Sequence, residues 1–295
     1  MKEKSMIEYV PALKALPPWK ESSMEEGKKV ITFKKPLSID EQIQYLHDTK
    51  RVVYNEMSVL LAKENIYRFN YINVITPFKH LFAKTDETGV PIKENGKHVY
   101  ERDVDFNEYF QQFKQEREKY PLLYKSLLMF EESFNAILSY EVIHFYDISD
   151  FNKFSSFINT LLSSLHQLPY KQTAKDHMAN SIQKFSNELA KYNSPYIFFD
   201  RLTLSELVTV FRCIDNDLQL KIFNSLVNQR CSIGYYDLET FDSVLPIIIQ
   251  IRNYVCHGNS LEVLCMYYSI KDKMFRSRSD RRRYRNVIKR ILKYE

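Results

Sequence analysis

The chain of 295 residues predicts an all-α fold, a helical bundle interrupted by one small β-hairpin insertion. Three observations predict it. Only five residues are glycine, which favours helices with short connections. Apolar residues, 20 Phe and 21 Tyr among them, recur at helical spacing over long stretches. Against that background Asn95-Gly96 is a strong two-residue hairpin signal. The length allows one large domain or two small ones, each with residues enough for a core.

Residues 1–34 read as an N-terminal arm, in which Pro17-Pro18-Trp19 is placed to dock the only Trp on the body or on a partner. Residues 35–270 read as the main helical domain. Ser38-x-x-Glu41 is a capping box, with Leu37 before it as a candidate staple. Ile39, Ile43 and Leu46 carry that helix to about His47. A second helix starts near Asn55 with Met57, Leu60 and Leu61 inward and runs toward Phe82, Pro77 making a break. The hairpin insertion spans about 88–102, with strands at 90–93 and 98–101; it is either a contact surface or an inert excursion. Residues 105–119 form a charged helix. Residues 122–146 form a long aromatic-rich one whose inward stripe is Leu127, Phe130, Phe134, Ile137 and Leu138. The polar segment 147–195 holds one or two exposed helices broken at Pro169, and 204–213 and 218–227 are apolar-periodic helices. A helix over 242–257 follows, with Pro246 near its start and Gly258-Asn259 suited to its end.

The net charge of +5 hides an asymmetry. Residues 271–293 hold eleven Lys or Arg against two Asp, while the rest of the chain is slightly acidic. The segment 271–295 therefore reads as a basic C-terminal helix. Tyr284, Val287, Ile288, Ile291 and Leu292 give it a narrow apolar stripe, and Arg281, Arg282, Arg283, Arg285, Lys289 and Arg290 lie mostly off that stripe. Such a face follows a phosphate backbone. A membrane-surface helix or a plain solvated helix would carry the same pattern. RNA is the partner we expect, because the apolar stripe is thin.

Several classes are disfavoured. Cys213, Cys231, Cys256 and Cys265 form no C-x-x-C pair and no secreted spacing, which fits free thiols in the cytoplasm. No apolar signal region opens the chain, and the apolar run 244–251 is too short to span a bilayer, so no membrane association is expected. No Gly-rich phosphate loop, H-E-x-x-H or G-x-S-x-G occurs. Glu141-x-x-His144 has the spacing of a di-iron ligand pair but lacks a second copy, so neither metal nor cofactor is expected.

The most informative stretch is Ile247-Ile248-Ile249-Gln250-Ile251-Arg252-Asn253-Tyr254-Val255-Cys256-His257-Gly258-Asn259. A cation this deep in apolar sequence needs a partner or a task. On a helix, Asn253 and His257 share a face; Arg252 lies off it but has a long stem, or two copies could meet across a dimer axis. An always-charged guanidinium holds a phosphate as negative charge builds, and an imidazole passes protons near neutral pH. Together they suit RNA cleavage by the neighbouring 2′-hydroxyl. The plainer alternative is a buried Arg capping carbonyls beside a satisfied core His.

Arg252-Asn253-x3-Cys256-His257-Gly258-Asn259 resembles the R-N-x-x-x-H motif of the HEPN superfamily and, more narrowly, the signature of its Abi-like, F/D-type abortive-infection family. Lys35-Pro36-Leu37-Ser38-Ile39-Asp40-Glu41-Gln42-Ile43, Asn65-Ile66-Tyr67-Arg68-Phe69-Asn70-Tyr71 and Asp200-Arg201-Leu202-Thr203-Leu204-Ser205 are similar to three further boxes of that family, in family order. Ser260 and Asp200 depart from its usual Arg and Glu, and no second R-x4-H is present. The resemblance implies a HEPN-type bundle and an antiphage toxin acting as a metal-independent endoribonuclease. His257 would act as general acid/base, Arg252 would neutralise the phosphate, and Asn253 would hold one of them. Glu131 or Glu132 matches the family's mid-helix Glu and would orient Arg252, the alternative being a plain solvated Glu. The products would carry a 2′,3′-cyclic phosphate. It also implies a homodimer with a composite site, and a small structured RNA as restraint. The rival readings are a non-catalytic RNA-binding module and a purely structural dimerisation protein.

Overall fold

The computed structural model describes residues 24–25, 28–29, 36–94, 97–189, 194–269 and 274–293. The chain is all-α with small β elements and divides into two compact units, Met1–Tyr120 with Tyr254–Arg285, and Pro121–Asn253 with Asn286–Glu295. Of the arm, two-residue strands are described, β1 (Met24–Glu25) paired antiparallel with β2 (Lys28–Lys29); Trp19 lies outside the described residues.

In the first unit, α1 (Ile39–Lys50) starts at the expected capping box, Ser38 and Glu41 each bonding the other's backbone N–H. Arg51, at φ 54°, ends it and turns the chain into β3 (Val52–Val53). β3 pairs in parallel with β6 (Val104–Asp105), a contact that no local pattern announces. α2 (Glu56–Phe69) starts at Asn55, as expected, through a reciprocal box with Ser58. Its inward face corrects the expectation. Met57 and Leu60 are 84% and 68% exposed, while Ser58, Ala62, Asn65 and Ile66 are buried. Small Ser58 and Ala62 suit the close approach of neighbouring helix, which the larger side chains would obstruct.

The break after α2 also comes earlier than Pro77. Asn70, at φ 64°, stops α2 and caps the short α3 (Tyr71–Val74) with its side chain. A 3-10 turn follows at Lys79–Leu81. The insertion holds β4 (Lys93–Glu94) antiparallel to β5 (Lys97–His98), with bridges Ala83–Tyr100 and Thr85–Pro91 beneath; the Asn95-Gly96 turn lies outside the described residues. α4 (Phe106–Arg117) opens on the Asp105/Glu108 capping box. The core of α1, α2 and α4 gathers Leu46, Val52, Ala62, Ile66, Val104, Phe106 and Tyr109. After Tyr254 the unit adds α12 (Leu261–Met266) and β7 (Tyr267–Ser269) paired with β8 (Met274–Phe275). The basic segment thus contributes a strand before it turns helical at Arg278, as α13 (Arg278–Leu292).

The second unit is built around Phe side chains. α5 (Tyr120–Phe145) buries Leu123, Leu127, Phe130, Phe134 and Leu138, four of them on or beside the expected stripe. Phe130 and Phe134 stack at 5.6 Å, and Phe241 meets Phe130, Phe211 and Phe223 at 6.2, 6.4 and 5.2 Å. Rings that large contribute about 3–5 kcal/mol each when truncated to Ala. α6 (Phe151–Gln167) and α7 (Gln172–Leu189) flank Pro169 as expected, but they are not the exposed helices expected: α6 buries Phe154, Phe157, Ile158, Leu161 and Leu165, and α7 buries Met178 and Ile182. α8 (Tyr196–Asp200), α9 (Leu204–Cys213) and α10 (Asn216–Asn228) follow, α9 and α10 capped by Thr203 and Asp215. From α13 the unit receives buried Val287, Ile288 and Ile291.

In the second unit α11 (Leu238–Cys256) starts four residues before the predicted point, so Pro246 is interior. A proline there has no N–H for the Asp242 carbonyl. Arg212 of α9 supplies the missing donor. Its Nη2 donates to Asp242 O at 2.8 Å, its Nε to the Asp242 carboxylate at 2.6 Å, and its Nη1 to Tyr170 Oη at 2.9 Å.

Candidate active site

The unit boundary falls inside the R-x4-H string, so each side is described by itself. In the second unit, Arg252 sits near the end of α11. Its Nε donates to Glu131 Oε2 at 3.0 Å and its Nη2 to Glu131 Oε1 at 3.2 Å. This two-point grip fixes the plane of the guanidinium. Nη1 donates to Asn253 Oδ1 at 3.5 Å, a long and weak bond. The side chains of Arg252 and Glu131 are 35% and 19% exposed. Of the two mid-helix acids, Glu131 is therefore the partner of Arg252, and Glu132 is exposed.

In the first unit, Tyr254 to Asn259 form the stop. The Asn259 N–H donates to Tyr254 O at 2.8 Å and the Gly258 N–H to Val255 O at 3.1 Å, the paired bonds of a Schellman ending. His257 is the exposed capping residue, and Gly258, at φ 64°, takes the left-handed position. Glycine suits that conformation, and a Cβ there would stand 3.2 Å from Arg117 Nη1, which would have to give by a few tenths of an ångström. Arg117 Nη2 donates to Gly258 O at 2.7 Å while its guanidinium lies over the rings of Phe113 and Tyr120, and the Tyr120 hydroxyl donates to Asn259 O. Cys256, last residue of α11, is exposed, whereas Cys213 and Cys265 are buried.

Ser260 caps α12. Its hydroxyl contacts both oxygens of buried Glu116 at 2.9 Å, and Glu116 accepts from the Glu262 N–H at 3.0 Å. Burial raises the Glu116 carboxyl to about 6 despite those bonds. Glu262 responds the other way. Burial pushes its carboxyl up, but the bond to His80 Nε2 at 3.0 Å and the Arg285 guanidinium at 2.7 Å outweigh it, and the carboxyl sits below its ordinary value.

The six basic residues expected to face RNA do not share one environment. Arg281 is buried: its Nη1 and Nη2 donate to the Gly89 and Thr88 carbonyls at 2.9 and 3.0 Å. Helical spacing placed it off the stripe, but the 88–90 turn covers it, so Arg281 is a brace within its unit. Arg285 is half exposed and paired with Glu262. Arg290 donates to Gly234 O and lies 4.4 Å from the Tyr235 ring centre. Arg282, Arg283 and Lys289 are exposed.

Sequence reasoning passed over one more feature of the second unit, the turn after α10. Arg230 takes the left-handed position of a second Schellman ending, bonding Val227 O, with Cys231 N bonding Leu226 O at 2.7 Å. Buried Ile233, at φ 51°, and Gly234, at φ 67°, follow. A left-handed β-branched residue costs about 1–3 kcal/mol and concentrates where structure serves function. Only Gly234 hinted at it in the sequence.

Glu141 is paired with Lys221 at 2.7 Å, and His144 is exposed. Among the described residues no group of three His, Cys, Asp or Glu is placed to hold a metal, and no helix is long and apolar enough to cross a membrane. The family model described as "Abi-like protein" matches residues 64–261. That span contains Glu131 and the whole R-x4-H string; it leaves out the Lys35 to Ile43 box and the basic tail. No curated protein and no solved structure matches the chain.

Proposed function

The chain belongs to the Abi-like protein family, and on that premise we propose that it is an abortive-infection toxin of antiphage defence that cleaves RNA as a HEPN-type endoribonuclease. The observation that carries this reading is Arg252, held flat by Glu131 with its Nη1 only weakly bonded to Asn253 Oδ1. The 2′-oxygen attacks the adjacent phosphorus, the bond to the 5′-oxygen breaks, and the products are a 2′,3′-cyclic phosphate and a 5′-hydroxyl. His257 takes the 2′-hydroxyl proton or delivers one to the leaving 5′-oxygen. Arg252 neutralises the charge that builds on the non-bridging oxygens, and Asn253 helps hold it. None of these steps requires a metal.

One motif per chain supplies one imidazole, whereas the reaction uses an acid and a base. A homodimer bringing two copies together would complete the pair. A bound small structured RNA is the restraint this reading calls for.

His257→Ala and Arg252→Ala should each lower cleavage of RNA by about 10²- to 10⁴-fold and abolish growth toxicity, with folding unchanged by circular dichroism. Cleavage by the wild type should survive EDTA. Wild-type rates in both variants would overturn the proposal. RNA that co-purifies with a protein that never cleaves would assign the chain to a non-catalytic RNA-binding module.

A further inference from the structure

A groove of about 1290 Å³ opens in the second unit. Its walls are the N-terminal part of α5, the turn after α10 and the end of α13. Among the described residues four cations line it, Lys125, Arg230, Arg290 and Lys293, and no carboxylate does. Among the described residues none of Lys125, Arg230 and Lys293 has an ion-pair partner, and all three are exposed. Arg290 is pinned to the turn through Gly234 O and the Tyr235 ring. Tyr236, on the same wall, is 80% exposed.

These features fit together. Cations clustered without counter-charges attract a polyanion, and no acid among the described residues quenches these. An exposed aromatic beside them offers a face to a nucleobase. The space exceeds the roughly 300–1,000 Å³ of a typical small-molecule site, which favours a strand over a metabolite. The left-handed Arg230 and Ile233 lie in the wall itself, where a relaxed turn would use glycine.

We propose that this groove binds single-stranded RNA, its phosphates on Lys125, Arg230, Arg290 and Lys293 and one base stacked on Tyr236. The choice of RNA rests on the ribonuclease reading above; affinity for a phosphodiester strand does not. The binding is sequence-independent, because phosphate contacts position a strand without reading it.

The test uses the full chain and a labelled 2′-O-methyl oligouridine, which cannot undergo 2′-oxygen attack, titrated at several salt concentrations. The triple variant Lys125→Gln, Arg230→Gln, Lys293→Gln should lower the log–log salt slope by roughly 2, at about 0.7 per lost contact. Tyr236→Ala should weaken binding by about tenfold, and that loss should vanish on an abasic strand. Thermal melting checks that both variants remain folded. An unchanged slope and affinity in the triple variant overturn the proposal, whether or not His257 proves catalytic. So does a triple variant that loses binding to anionic vesicles or polyglutamate while keeping the oligonucleotide.

Discussion

Each unit answers some of its cations with its own carbonyls and carboxylates, Arg212 and Arg252 in the second among them, but the groove of the second also holds cations that no described carboxylate answers. In the first, Arg117 and Arg281 donate to main-chain carbonyls, and Arg285 answers Glu262. Arg276 donates to Leu264 O and lies 3.9 Å from the Tyr284 ring centre. In the second, Lys125, Arg230 and Lys293 line a groove without a carboxylate partner among the described residues. A count of basic residues does not separate these roles, since Arg281 and Lys293 belong to the same basic segment. What separates them is the backbone that comes to meet the charge. A guanidinium covered by carbonyls is a structural donor, and one left facing an open groove is available to an outside anion.

The comparison can be broken by exchanging stabilities for affinities. The largest effect is expected from Arg281→Ala, which leaves the Gly89 and Thr88 carbonyls without donors. It should cost about 3 kcal/mol in urea denaturation. Lys125→Gln and Lys293→Gln should each stay within about 0.5 kcal/mol. A stability loss at Lys125 as large as that at Arg281 would erase the distinction.

Next comes the pH dependence of the acids beside those cations. Glu116 is raised from 4.5 to about 6. The folded protein therefore binds more protons than the unfolded chain between those values. Its contribution to stability is fully present below about 4.5 and is lost as pH rises through about 6, a change of about 2 kcal/mol. Glu116→Gln should flatten that part of the stability–pH curve. Glu262, held below its ordinary value, works in the opposite sense: its contribution is present above the ordinary carboxylate range and fades as pH falls through its folded value.

The smallest pair sharpens the comparison at two matched helix endings. Gly258→Ala forces a Cβ into the left-handed position and against Arg117, and should cost about 1–2 kcal/mol. Arg230→Gly relieves the same conformation and should gain up to about 1 kcal/mol while weakening strand binding. A neutral result at both positions would remove the strain argument for the groove.

What the sequence disclosed follows the range of the forces involved. Local devices were legible, since Ser38 with Glu41, the Asn55 cap and the Gly258 stop each act within a turn of their own residue. The stripe Phe130, Phe134 and Leu138 was legible because burial there follows the helix period. Met57 and Leu60 misled because hydrophobicity alone does not say which face a neighbouring helix covers; Ser58 and Ala62 form that face by being small. The β3–β6 pair joins residues about fifty positions apart, beyond any local pattern. The same limit hid the ion pair of Glu131 with Arg252, which only the family's mid-helix Glu suggested, and the carbonyl cover over Arg281.

The exposed thiol of Cys256 has a practical consequence. Burial pushes the thiols of Cys213 and Cys265 up to about 12, so both stay protonated and shielded, and Cys231 is half-buried. A maleimide dye at limiting concentration should react first at Cys256, one residue before His257. The chain then carries an optical probe at the motif, and the proposed arrival of RNA at His257 can be tested by fluorescence without removing or adding a single cysteine.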